Sequence, residues 1–157
     1  MGFSYKDLRD RIALKLKEAT KKLREMDYES QRISPREFFD YMTGETPTGD
    51  IITIVDVLEN VFLMIYEVVE ISELKKLGIS INKRTVMMTF PNPINEAHYT
   101  AIQYELDYAL SSKNYDWSKI RMKHSKFWLE DKDLPQHLIA GYKALIEKFS
   151  KTLESSS

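Results

Sequence analysis

Residues 51–77, IITIVDVLENVFLMIYEVVEISELKKL, decide the fold class. Ile51, Val55, Leu58, Phe62, Ile65 and Val69 recur at alternating steps of four and three, the seam of an α-helix. A second apolar row, Ile54, Val57, Val61, Met64, Val68 and Ile71, widens that seam well beyond a one-sided stripe. Asp56, Glu59, Asn60, Glu67, Glu70 and Glu73 leave only a narrow polar strip. A helix apolar around so much of its circumference must be covered on several sides, so the stretch reads as one central helix in an all-α bundle. It does not read as a membrane span. Its longest unbroken apolar run is Val61 to Tyr66, with two acids and an Asn just before it. A span needs ~20 mostly apolar residues with few or no charges.

Upstream, Ser4 and Asp7 can satisfy free amides at a helix start. Tyr5, Leu8, Ile12, Leu16, Ala19, Leu23 and Met26 then mark a one-sided amphipathic helix, with Lys6, Lys17, Lys21 and Arg24 on its outer face. Ser34-Pro35-Arg36-Glu37 is the clearest start signal: Ser34 caps, Pro35 suits the first helical position, and Glu37 closes a capping box. That helix is short, because Gly44 ends it and Thr46-Pro47-Thr48-Gly49 reads as a loop.

Downstream, Gly78 ends the central helix behind Lys75 and Lys76, whose charges suit a C-terminus. Residues 79–90 are ambiguous. Their alternation fits a small β-hairpin turning at Asn82-Lys83-Arg84, and a Ser80-capped helix fits about as well. Asn92-Pro93 opens a helix apolar on two rows, Tyr99, Ile102, Leu106, Leu110 and Ile94, Ala97, Ala101, Tyr104, Tyr108. A shorter helix runs from about Trp117 to Trp128. Asp133 with Gln136 caps the last, whose seam is Leu138, Tyr142, Leu145, Phe149 and Leu153. The expected architecture is therefore four longer and two short helices in a single domain, residues 1–154, with a frayed tail at 155–157.

A chain of 157 residues can bury a real core without a metal or disulfide staple. With no cysteine it has no disulfide and no thiolate chemistry, which fits a reducing, cytoplasmic setting. The net charge of −1 conceals blocks of alternating sign. Residues 1–25 carry eight Lys or Arg against four acids, residues 27–73 two against eleven, and residues 74–126 nine against four. Such blocks are expected to attract one another within one fold or across a dimer.

Chemistry-bearing motifs are sparse. The chain contains no Gly-x-Ser-x-Gly and no Gly-rich phosphate loop. No His follows a Glu at the Glu-x-x-His spacing of di-iron bundles. His98 and Glu105 roughly share a face, and one such pair reads as solvated rather than as a metal site. Catalytic residues, metals and cofactors are accordingly not expected. The most suggestive patch is Lys119, Arg121, Lys123, His124 and Lys126, flanked by Trp117, Phe127 and Trp128. Lys119, Lys123 and Lys126 share one helical face, and neighbouring aromatics can stack on bases or pack on a partner. The expected function is a non-catalytic protein-interaction module that binds a partner or itself. The alternative is an accessory nucleic-acid-binding protein using this patch.

Overall fold

The computed structural model describes residues 3–45 and 53–156, all in helices and the turns between them, with no strand among them. The helices are α1 (Tyr5–Glu25), α2 (Pro35–Met42), α3 (Ile54–Leu58), α4 (Val61–Lys76), α5 (Thr85–Thr89), α6 (Ile94–Ser111), α7 (Tyr115–Trp128) and α8 (Gln136–Ser156). The all-α class stands, but among the described residues eight helices replace the expected six. The loop expected at Thr46–Gly49, and Ile51 of the seam, lie outside the described residues.

The central helix differs most from expectation, because it is two helices. Asn60 leaves the helical region, and its side-chain carbonyl accepts from the amides of Phe62 and Leu63. An Asn that bonds its own downstream amides competes with continuation of the helix, so α4 starts afresh. Thr53 and Asp56 form a reciprocal capping box at the start of α3. Most of both apolar rows is buried, Ile54, Val57 and Leu58 of α3 and Met64, Ile65, Val68, Val69 and Ile71 of α4, whereas Val55 and Phe62 are half-buried and Val61 is exposed. Gly78 ends α4 as expected. At a φ of +82° it lets its own amide reach the Lys75 carbonyl while Ile79 reaches that of Leu74.

Residues 79–90 form no hairpin. Thr85, buried, accepts from the Asn82 amide at 2.7 Å and donates to the Ser80 carbonyl at 2.9 Å. That latch closes the turn onto α5. A two-stranded ribbon would have had to find both its pairing and its cover among helices.

Packing follows the apolar faces. α4 lies chiefly against α6 and also touches α1 and α3, while α6 in turn carries α7 and α8. Ile65, Val68, Val69, Ile71 and Leu74 exclude solvent entirely. The loop after α1 is tied to α4 by Tyr28, which donates to Glu73 at 2.7 Å, and by the Gln31 amide, which donates to Ser72 Oγ at 2.8 Å. Against the expectation that Asp133 caps the last helix, α8 begins beyond Pro135, whose carbonyl accepts from Leu138 and Ile139. No helix among the described residues is long and apolar enough to cross a membrane.

Candidate functional site

The wide apolar faces of α4 and α6 bury two carboxylates between the helices, and each needs compensation. Glu70, on what reads as the polar strip of α4, is buried. It accepts from the Tyr41 hydroxyl of α2 and meets His98 Nε2 of α6 at 3.2 Å. Burial, and after it the charge of Glu70, raise the Tyr41 and Tyr66 phenols well above their ordinary range. Tyr41 therefore remains a donor at any physiological pH.

Glu105 of α6 is the second. It excludes solvent entirely and is bonded at 2.7 Å by both Arg121 Nε and Trp117 Nε1. Burial raises its carboxyl above the usual range, while the Arg121 charge works the other way. Arg121 is itself buried, lies over the rings of Tyr66 and Trp128, and contacts His124 Nδ1 at 3.2 Å. His124 is held below its usual pKa, first by partial burial and then by the charges of Arg121 and Lys123.

These contacts sort the patch read from the sequence. Lys119, Lys123 and Lys126 are exposed, and so is His124. Arg121 is turned inward and spent on Glu105. Trp117 is half-buried, stacks on Phe62 at 5.4 Å and donates to Glu105, so one ring face and its N–H are already engaged. Trp128 packs edge-on against Tyr142. The polarity of α7 is thus unusual: its buried row is Ser118, Arg121, Met122 and Ser125, while Ile120 and Phe127 are 49% and 61% exposed. Ser118 and Ser125 donate to the carbonyls one turn back, which satisfies the hydroxyls inside the fold. On the outside, Lys119, Lys123 and Lys126 form one strip and Ile120 and Phe127 the strip beside it, as their helical spacing requires.

A cleft of about 330 Å³ opens between α6, the end of α7 and α8. His98 and Asn95 line it from α6, and Phe127, Trp128 and Tyr142 supply aromatic walls. Glu130 and Asp131, from the turn after α7, complete it. His98 shares a face with Glu105 by spacing, yet its carboxylate comes from α4, a partner that only the fold supplies. Among the described residues no group of His, Asp or Glu side chains is arranged to hold a metal ion. No protein-family model, curated protein or solved structure matches the chain.

Proposed function

We propose that this chain is a protein-interaction module whose docking face is the outer side of α7, and that its occupant is an acidic segment with apolar side chains on a partner protein. The observation that carries the reading is the exposure of Ile120 and Phe127 beside Lys119, Lys123 and Lys126. A single exposed apolar side chain on a soluble protein is ordinary. Two on one strip, on a helix whose inner row contains two serines and an arginine, put apolar area outward where polar residues would cost nothing. The adjoining lysines supply charge complementarity to carboxylates, which steers encounter more than it adds affinity. Selection from a displayed random-peptide library is expected to enrich peptides that combine acids with apolar residues. Ile120→Asp should abolish their binding, while K119A/K123A/K126A should weaken it and flatten its salt dependence. Peptides that bind the Ile120→Asp protein unchanged would overturn the reading.

The lysine strip also supports a second reading, nucleic-acid binding, with Phe127 as the exposed stacking ring. Attraction to phosphates then comes from counterion release, with a logarithmic salt slope of about 0.7 per phosphate contacted on a single strand. The triple lysine variant should lower that slope by roughly two units, and Ile120→Asp should matter little. The engagement of both tryptophans inside the fold weighs against this reading. We expect no anisotropy change with labelled single- or double-stranded oligonucleotides at low salt and ~10 µM protein, where ordinary non-specific affinity would register.

A further inference from the structure

We infer that the cleft between α6, α7 and α8 binds a small uncharged molecule, a single aromatic ring that carries a carbonyl oxygen. The walls argue for the ring. Trp128 and Tyr142 line the cleft and are held edge-to-face at 5.8 Å. Each has a second support: Tyr99 packs edge-on against Tyr142 at 5.0 Å, and the Arg121 guanidinium lies over the Trp128 ring at 5.5 Å. That platform is in place before a ligand arrives. Buried Leu134 and the exposed ring of Phe127 continue the apolar lining. At about 330 Å³ the cleft sits at the small end of ligand sites, which run from ~300 to ~1,000 Å³, so one ring is the appropriate scale.

Asn95 argues for the oxygen. Its side chain is nine-tenths buried and lines the cleft, and its Nδ2 has no hydrogen-bond partner. An unpaired buried donor costs the fold its lost hydration, and a ligand that brings an acceptor recovers that cost on binding. Asn95 also stands in the first turn of α6, an end that no side chain caps, where partial positive charge favours an oxygen. The surrounding charges argue for neutrality. A cation meets the Arg121 guanidinium already over Trp128, and at Asn95 a donor that cannot accept from it. An anion meets Glu130 and Asp131, exposed at the rim, while Arg121 is committed to Glu105 at 2.7 Å. Either ion would leave water without a compensating partner, a larger penalty than the screened repulsion itself. Tyr142 adds no charge of its own, because burial, and after it Glu70, raise its phenol far above physiological pH.

The test titrates the full chain with benzamide, benzamidinium and benzoate, three molecules of one shape that differ in charge. Binding is read from the Trp128 indole N–H resonance. The Trp117 indole, which bonds Glu105 away from the cleft lining, serves as the control for an intact fold. Benzamide should bind with a Kd on the order of 1 mM, as suits so small a ligand, and about tenfold more tightly than either ion. Asn95→Leu removes the unpaired donor and should weaken benzamide about tenfold. Asn95→Asp puts an acceptor where the donor stood and should reverse the order, with benzamidinium ahead of benzamide. Ile120→Asp, which disables the proposed docking face, should leave all three affinities unchanged, so the two proposals fail separately. A Trp128 resonance unmoved by benzamide, or an ion that binds the native protein as tightly as benzamide does, would overturn the inference. So would a benzamide affinity unchanged in Asn95→Leu.

Discussion

Lys113 and Asp27 both have φ of +60°, a left-handed conformation that a side chain adopts at a cost. Each sits just past a helix end. There its amide and that of the next residue cap carbonyls of the last turn: Arg24 and Leu23 after α1, Leu110 and Ala109 after α6. Gly78 does the same after α4 with no side chain to strain. Lys113→Gly should therefore stabilise the fold by ~0.5–1 kcal/mol, visible as a higher denaturation midpoint. Two titratable groups set pH effects at the same scale. Burial opposes the charge on Glu37, but the Ser34 bonds and Lys75 at 2.9 Å outweigh it, and the carboxyl is held below its ordinary value of 4.5. Its folded pKa is depressed, so its contribution is present above 4.5 and lost as pH falls through the folded value. Glu37→Gln should be less stable than the native protein at neutral pH and converge with it in acid. His124 is also depressed, from 6.5, so protonation there opposes folding. Acidification below about 6.5 should destabilise the native protein more than His124→Gln.

At the scale of elements, α6 and α8 approach one another closely at Gly141. A Cβ added at Gly141 would stand 2.7 Å from the ring end of Tyr99, and that ring is packed edge-on against Tyr142 at 5.0 Å. In an open helix Gly→Ala gains ~1 kcal/mol. Here Gly141→Ala should lower the denaturation midpoint, because Tyr99 cannot retreat without displacing Tyr142. The joint between α3 and α4 depends on Asn60, and Asn60→Ala should cost ~1 kcal/mol through the lost cap. Within α4, Ile65→Ala should cost ~2–5 kcal/mol, since it leaves a cavity where solvent is fully excluded. Lys21→Ala on the outer face of α1 should stay within ~0.5 kcal/mol. Equal midpoints for those two variants would contradict the central place of α4.

For the whole molecule, a dimer formed on the broad apolar surface of α3 and α4 would require that surface to be open in the single chain. The structure covers that surface within one chain, with α1 and α6 lying against α4. The apolar side chains left outside are scattered: Phe3 and Leu14 before and on α1, Val61 and Leu77 at the two ends of α4, Ile120 and Phe127 on α7, and Met87, Met88 and Phe90 on and after α5. None of these groups approaches the extent of the buried faces. Light scattering across a dilution series should give the 18.5 kDa mass of one chain at tens of micromolar, and a doubled mass would assign one of those exposed groups to self-association.

The sequence by itself determined the helical class, the rows that became the core, and the helix ends whose signals are local. Ser4, Ser34 and Gly78 act as expected because a cap bonds to amides or carbonyls within a few residues of itself. Tertiary structure alone decided what happens to charge. Glu70 lies on a polar strip by spacing, yet it is buried because Tyr41 and His98 arrive from two other helices. Arg121 belongs to a basic run by composition, yet it points inward because Glu105, sixteen positions earlier, needs a cation once α7 covers α6. Periodicity registers which residues share a face, but which face is covered depends on partners distant in the chain. The desolvation that makes a buried carboxylate demand its Arg or Tyr exists only after those partners have packed.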